Sequence, residues 1–224
     1  MFDGFFRDFS NIGDILMSAL MRVIPALICI TFHELAHGYT AYKLGDMTAK
    51  DKGRLTLNPV KHIDIFGLLM MLFFRFGWAK PVPVDMRNFK HPKWYMAVTA
   101  IAGPASNIVL AAFVLFIYGL LIVPIMTSNA GAVVSELIMN TVYLSLALAV
   151  FNLMPIPPLD GSKVLFSLLS EEKYFKLMKY ERYGIIALIL VLNTGIFRNT
   201  IGRMTDSLLS GLSVFFRAAV SLVI

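Results

Sequence analysis

Two histidines and a glutamate lie within five consecutive residues, in the order His33-Glu34-Leu35-Ala36-His37. Side chains four residues apart share one face of an α-helix, so both imidazoles can bind the same metal ion. Glu34 lies beside that face, where a carboxylate can act as general base toward an activated water. This H-E-x-x-H pattern predicts a zinc site with two histidine ligands, although so short a pattern also occurs by chance.

The motif directly follows an apolar stretch, residues 15–32. An ionisable side chain inside a membrane costs about 2.5–3.5 kcal/mol on insertion scales, so three of them together need a compensating role. The alternative is that His33 and His37 lie beyond the end of the helix, solvated at the membrane interface. Residues 38–42 continue the helical pattern, which favours a buried site.

A catalytic zinc ion usually takes three protein ligands and leaves one position for water. The candidates for the third ligand are His62, His91, Asp160 and the scattered acidic residues. His62 and His91 lie in basic loops, which is typical of surface histidines. Asp160 follows a proline-rich turn that ends an apolar segment, but Asp before Gly161 is also a common turn pair. The local sequence therefore leaves metal ligand and turn residue as equal alternatives for Asp160.

The composition is that of a polytopic membrane protein. Of the 224 residues, 58% are hydrophobic and 15% charged, and the mean hydropathy is +0.73; a soluble domain usually carries about 25% charged residues. The net charge is +6, and 15 of the 20 Lys and Arg fall in the stretches 43–61, 75–93 and 163–182, beside apolar segments. This positive-inside pattern favours juxtamembrane charge over nucleic-acid binding. The single cysteine, Cys29, excludes an intrachain disulfide.

The apolar segments predict an all-α polytopic membrane protein with about five spanning helices. Residues 162–182 are amphipathic and basic, which is typical of a segment at the membrane interface. The predicted long helices cover residues 15–45, 94–124 and 132–153, with a C-terminal helical pair at 183–197 and 204–224.

One segment, 63–93, does not fit a simple spanning helix. Residues 63–78 are apolar but short, and Arg75 interrupts them. Residues 79–93 contain three prolines, which exclude a helix there and favour an extended edge. We therefore expect a re-entrant, partly extended segment at 63–93, and the extended part is a candidate for pairing with a substrate strand.

Four sequence segments together resemble the site-2 protease family of intramembrane zinc metalloproteases. They are residues 32–38 (FHELAHG), 103–107 (GPASN) and 152–161 (NLMPIPPLDG), while 77–84 (GWAKPVPV) is similar to the compact bacterial and archaeal branch. The resemblance covers roughly residues 15–165, and three such motifs in this order are highly specific.

The resemblance implies a role for each motif residue. His33 and His37 would bind one zinc ion per chain, Asp160 of the Leu-Asp-Gly motif would be the third ligand, and Glu34 would be the general base. It also implies that Asn107 and Asn152 lie close to the active site. A hydrogen bond between helices would also explain either asparagine, and for Asn152 the alternative is donation to a developing oxyanion or to substrate backbone.

The resemblance further implies that the substrate is a transmembrane segment of another protein, cut within or near the lipid bilayer. The chain is expected to form a single membrane-embedded metalloprotease domain over residues 1–224, with a catalytic core at about 15–165 and the helical pair at 183–224. A transporter would need ionisable residues on several spans, whereas here they concentrate at one site. A protease-like protein that binds without cutting would not need Glu34.

The two halves of the predicted zinc site restrict the membrane topology. His33 and His37 lie near the end of the first helix, and Asp160 lies beyond the end of the helix at 132–153. Both helix ends must therefore reach the same side of the membrane. If residues 63–78 crossed the membrane completely, Asp160 would end near the opposite face.

A segment 63–78 that enters the membrane and returns removes this conflict. The helix at 94–124 then runs outward, and the loop 125–131, which has no Lys or Arg, lies outside. The three basic stretches become cytoplasmic, as the positive-inside rule requires, with Arg198 and Arg203 as minor exceptions. This arrangement predicts a multi-pass protein of the cell membrane, with its N-terminus outside and its active site nearer the cytoplasmic side.

Overall fold

The computed structural model describes residues 12–74, 77–192 and 195–224, and this part of the chain is mostly helical. Its β-pairing is confined to one antiparallel bridge, between Ile63 and Ala79. The predicted all-α fold class is confirmed for these residues. The α-helices are α1 (Ile12–Lys43), α2 (Thr48–Asp51), α3 (Ile65–Phe74), α4 (Pro92–Leu120), α5 (Ile122–Met126), α6 (Gly131–Leu153), α7 (Asp160–Ser167), α8 (Glu171–Lys179), α9 (Gly184–Leu192) and α10 (Gly195–Val220), with 3-10 helices at Pro59–His62, Met86–Asn88 and Glu181–Tyr183.

Three helices of the described chain are long and apolar enough to cross a membrane. They are Leu16–Lys43 within α1, Pro92–Leu120 (α4) and Gly131–Leu153 (α6). Their positions agree with the sequence prediction to within a few residues, and α4 begins at a proline, which suits the first turn of a helix. The larger number of about five spans stays a prediction.

The C-terminal helices differ from the prediction in where the chain breaks. The sequence placed a break at 198–203, because polar residues interrupt the apolar pattern there. Instead α10 begins at Gly195 and continues through this stretch. Arg203 is exposed on the helix surface, so its charge does not require the helix to end.

Helices α1, α4, α6 and α10 form the packed body of the protein. Ala111 and Leu115 of α4 form a fully buried cluster with Val142 and Leu146 of α6, and Phe216 of α10 packs against it. Helix α10 therefore shares a core with two of the candidate spans. Small residues at the contact allow the helices to pack this closely.

Gly119 lies where α4 and α10 approach each other closely. A Cβ atom at Gly119 would lie 2.6 Å from Cβ of Ala219 and 2.6 Å from the carbonyl oxygen of Phe216. A larger residue would separate the two helices and open the core.

Helix α1 ends where the sequence predicts. Its last residue is Lys43, and Gly45 has a φ of +108°, a left-handed conformation that favours glycine after a helix. The next residue, Asp46, is fully buried and joins the start of α2 to the chain at 85–88: Oδ1 accepts from the Thr48 backbone N–H at 3.0 Å and from Asn88 Nδ2 at 2.7 Å, and Oδ2 accepts from the Asp85 backbone N–H at 2.7 Å.

The two ends of residues 63–79 lie side by side. The Ile63–Ala79 bridge joins them, and the Lys80 N–H donates to the carbonyl of His62 at 3.0 Å. Gly77 approaches so closely that a Cβ on it would lie 2.3 Å from the carbonyl oxygen of Gly67. The chain thus leaves through the ten-residue helix α3 and returns to its starting point. Arg75, which interrupts this segment in the sequence, lies outside the described residues.

Candidate metal centre and active-site cavity

Three buried side chains point their ligand atoms at one another. Nε2 of His33 lies 3.0 Å from Nε2 of His37, and these two nitrogens lie 3.2 and 3.1 Å from Oδ2 of Asp160. Ligands bound to tetrahedral zinc at about 2.0–2.1 Å are roughly 3.3 Å apart. The nearly equilateral triangle therefore fits a zinc ion, and two imidazoles with one carboxylate are donors that zinc accepts.

The triad joins residues that are far apart in the sequence. His33 and His37 lie one turn apart on α1, and Asp160 is the first residue of α7. Gly161 allows α7 to begin against the end of α6, since a Cβ at this position would lie 2.2 Å from the carbonyl oxygen of Leu153. The glycine of the Leu-Asp-Gly motif thus lets the chain turn tightly enough to bring Asp160 to the histidines.

A nearby cation favours the ionised form of Asp160, which is the form that binds a metal. Burial raises the pKa of the Asp160 carboxyl, whereas the charge of Lys163, whose Nζ lies 3.6 Å from Oδ1, lowers it.

The hydrogen-bond partner of Nδ1 determines which ring nitrogen of His37 carries the proton. Nδ1 of His37 lies 2.7 Å from the carbonyl oxygen of Thr99. A carbonyl only accepts, so Nδ1 carries the proton and Nε2 is free to bind a metal.

Asn107 is the side chain that faces the corresponding nitrogen, Nδ1, of His33. Its Nδ2 lies 3.4 Å from Nδ1 of His33, while its Oδ1 is buried without a partner. A half-turn of the amide exchanges the two atoms and places Oδ1 where it accepts from Nδ1–H of His33. Oδ1 of Asn107 and Nδ1–H of His33 are then paired with each other, and Nε2 of His33 is also free for the metal. Ser145 donates to the backbone carbonyl of Asn107 at 2.8 Å and anchors this part of α4.

At Gly103, α4 packs directly against both imidazoles. A Cβ there would lie 2.3 Å from Nε2 of His37 and 2.7 Å from Cε1 of His33. Only a hydrogen atom fits, so the glycine of the Gly-Pro-Ala-Ser-Asn motif sets the distance between α4 and the two imidazoles.

The triad lies in a cavity of about 350 Å³. This volume accommodates several water molecules beside a peptide group. Its walls come from α1, the extended chain at 81–84, α4, the end of α6 and the chain after it. The polar side chains lining it are those of His33, Glu34, His37, Thr99, Asn152, Asp160, Lys163 and Glu181.

Glu34 lines the same cavity and is held by the extended chain. Its Oε2 accepts a hydrogen bond from the backbone N–H of Val82 at 2.6 Å. Arg54 in turn donates to the carbonyl of Lys80 at 2.7 Å, which ties the extended chain to the loop after α2.

The remaining predicted residues take different places. Asn152 lines the cavity, and its Nδ2 donates to the carbonyl of Leu148 in its own helix at 3.0 Å. His91 is exposed and lies edge-on to Tyr95. His62, expected at the surface, is buried, with Nε2 2.9 Å from the carbonyl of Thr56. That expectation was wrong because the loop carrying His62 folds under the returning chain at 77–80.

Sequence reasoning missed four contributors to the site. Thr99 and Val82 act through backbone atoms, so their side-chain types carry no signal. Lys163 and Glu181 were counted only as interfacial charges. The position of Lys163, one helical turn after Asp160, was a signal that could have identified it.

Comparisons with known proteins agree with this site. The model of Peptidase family M50 matches residues 119–192. "Putative zinc metalloprotease YwhC" of Bacillus subtilis (strain 168) is 38% identical over 205 residues, which are 87% of this chain and 92% of that protein. "Putative zinc metalloprotease Rip2" of Mycolicibacterium smegmatis is 30% identical over 75% of this chain and 64% of its own length. "Putative zinc metalloprotease MJ0611" of Methanocaldococcus jannaschii is 33% identical over 60% of this chain and 63% of its own length. No solved structure matches the chain significantly.

The site and these relatives define a zinc metalloprotease. The chain belongs to peptidase family M50, the site-2 proteases. The resemblance read from the sequence motifs is thereby confirmed, and so is zinc as the cofactor that the family implies and that the His-His-Asp group suits.

Proposed function

We propose that this protein is an intramembrane protease that hydrolyses peptide bonds within or near transmembrane segments of other membrane proteins. The observation that carries the proposal is the position of the triad. His33 and His37 lie inside Leu16–Lys43, a helix able to cross a membrane, and Asp160 joins them in a cavity. A peptide bond that reaches this cavity belongs to a segment at membrane depth.

We assign His33, His37 and Asp160 as the ligands of one zinc ion and Glu34 as the general base. When bound, zinc polarises the scissile carbonyl and makes a water more acidic. Glu34 takes a proton from the attacking water and passes it to the leaving amine. The Val82 N–H holds Oε2 of Glu34, which leaves Oε1 for the proton.

The cavity also contains groups suited to hold a substrate. The amide of Asn152 lines it and is placed to donate to a developing oxyanion or to substrate backbone. The extended chain at 81–84 lines the same cavity and is a candidate edge for an unwound substrate strand. Unwinding is required because the carbonyls of a transmembrane helix are already hydrogen-bonded.

We further propose the membrane arrangement that the charge pattern predicts. Residues 63–93 are re-entrant, the N-terminus is outside, and the active site lies nearer the cytoplasmic side of the cell membrane. The adjacent ends of residues 63–79 support this arrangement. The chain over 1–224 is one metalloprotease domain of about five spans, and the core that α10 shares with α4 and α6 supports this.

Substrate trapping tests the proposed reaction. Glu34→Gln is introduced into the full chain, and membrane proteins bound to it are captured by cross-linking and identified. Each captured protein is then reconstituted in vesicles with the unchanged enzyme, and the new termini are mapped by mass spectrometry. We expect cuts within or close to a transmembrane segment, which Glu34→Gln does not make. Cuts confined to soluble regions would contradict intramembrane proteolysis.

A further inference from the structure

A lysine one helical turn beyond Asp160 lies between two carboxylates. Nζ of Lys163 is 3.6 Å from Oδ1 of Asp160 and 3.8 Å from Oε1 of Glu181. The exposed fractions of the three side chains are 20%, 11% and 22%, so the group is partly buried in the cavity wall. Attraction between such charges is screened less than at an open surface.

The two oxygens of Asp160 face different partners. Oδ2 faces the Nε2 atoms of His33 and His37, whereas Oδ1 faces Lys163. A carboxylate that binds a metal through one oxygen is commonly oriented by a partner on the other, and loss of such a partner weakens metal binding. Lys163 is placed to be that partner.

The charges around the cavity support the same role. Glu34, Asp160 and Glu181 are three carboxylates, and Lys163 is the single ammonium among the described residues that line the cavity. The lining therefore carries two more negative charges than positive ones, and a bound divalent cation would balance them. Without Lys163, the cavity with zinc bound would keep an uncompensated negative charge.

The ion pair between Lys163 and Glu181 is not one between neighbours on the same helix. Glu181 belongs to a separate 3-10 helix, Glu181–Tyr183. The residue that follows this helix, Gly184, packs against the proline turn that precedes Asp160. A Cβ at Gly184 would lie 2.3 Å from Cβ of Pro157 and 2.5 Å from its carbonyl oxygen. The same contact that docks the 3-10 helix thus brings Glu181 to Lys163.

We propose that Lys163 is a positioning residue of the zinc centre. It holds Oδ1 of Asp160 so that Oδ2 faces the histidines, and Glu181 holds Lys163 in turn. The inference rests on the proposed assignment of Asp160 as a zinc ligand. It assigns to the basic segment 162–182 a part in metal binding, in addition to its predicted place at the membrane interface.

Zinc affinity of the detergent-purified full chain, measured by competition with a chelator, tests this role. Lys163→Met should lower the affinity about 10- to 100-fold, the range typical of lost outer-shell partners. Lys163→Arg, which keeps the charge, should recover most of it. Glu181→Gln should cause a smaller loss, and no further loss in the Lys163→Met background. Lys176→Met is the matched control, because it removes the same charge from an exposed position on α8 and should leave the affinity unchanged.

The outcomes separate this inference from the ligand assignment. If Asp160→Asn binds zinc as tightly as the unchanged protein, the ligand assignment fails and the inference fails with it. If Asp160→Asn loses zinc but Lys163→Met does not, only the role of Lys163 is overturned. An equal loss in Lys176→Met would also overturn it, because the effect would then be one of net charge. Melting curves of the zinc-free variants exclude misfolding as the cause of a loss.

Discussion

The backbone N–H of Val82 donates to Oε2 of Glu34 at 2.6 Å and joins the extended chain to the helix that carries both histidines. Val82 stands between Pro81 and Pro83, which have no N–H, so it is the donor of this tripeptide. The prolines also restrict the backbone around it. One oxygen of the proposed base is therefore held by a stiff piece of backbone rather than by a mobile side chain.

Glu34→Gln should abolish proteolysis and leave zinc bound. The amide cannot take a proton from water, and general acid–base catalysis contributes about 10²- to 10⁴-fold. Cleavage of a trapped substrate and zinc content of the same purified sample are the two measurements. Cleavage at a near-normal rate would remove Glu34 from the role of base, and loss of zinc would make it a ligand.

Asp160→Asn should weaken zinc binding and stop cleavage, whereas His62→Ala and His91→Ala should do neither. His62 and His91 lie outside the buried triad. His62→Ala should nevertheless lower the melting temperature, because His62 is buried and hydrogen-bonded to the Thr56 carbonyl. Zinc content and thermal melts of the three variants check this, and zinc content that follows either histidine would refute the assignment.

Gly103→Ala should reduce zinc affinity although no ligand is changed. The added methyl would lie 2.3 Å from Nε2 of His37, so α4 or the imidazoles must move. The control is Gly202→Ala, because no atom lies within 4 Å of a Cβ at that position of α10. Alanine is favoured over glycine inside a helix by roughly 0.5–1 kcal/mol, so the control should be neutral or more stable. Equal zinc affinity in both variants would show that the contact is unimportant.

Asp46→Asn should destabilise the protein at neutral pH by about 2 kcal/mol, the size of a hydrogen bond to a charged group. Burial raises the pKa of the Asp46 carboxyl, but hydrogen bonds from Thr48, Asn88 and Asp85 outweigh burial and lower it overall. A lowered pKa contributes stability above the usual value of about 3.9, and this stability is lost as pH falls through the folded-state pKa.

The difference between Asp46→Asn and the unchanged protein should therefore be full at pH 7 and shrink well below pH 4. The measurement is the melting temperature of both proteins at pH 7 and at a pH well below 4. A difference that is the same at both would show that the charge of Asp46 contributes nothing.

Cysteines at Asn88 and Ser128 should be labelled from opposite sides of intact cells. In a Cys29→Ala background, Ser128→Cys should react with an impermeant external reagent and Asn88→Cys should not. Residue 88 lies in the basic stretch 75–93, and residue 128 in a loop without Lys or Arg. External labelling of Asn88→Cys would refute the re-entrant arrangement.

Local pattern alone identified the long helices and predicted two of the three candidate metal ligands. The spacing of His33 and His37 is a helical repeat, and the apolar lengths of α1, α4 and α6 reflect the thickness of a bilayer. These properties depend on neighbours in sequence. Where charge interrupted the pattern, as at Arg203, the prediction ended a helix that the structure continues, because an exposed arginine does not oppose a helix.

The sequence by itself determined the class of chemistry, since an H-E-x-x-H motif in an apolar helix places two ligands and a base together before any folding is considered. Only the tertiary structure decided which residue lies beside the two histidines. The local sequence left open whether Asp160 is a turn residue or a metal ligand. Its place beside His33 depends on the close packing that Gly103 and Gly161 permit. The contacts of Val82 with Glu34 and of Lys163 with Glu181 likewise join separate segments, and the first runs through a backbone atom, which residue type does not encode.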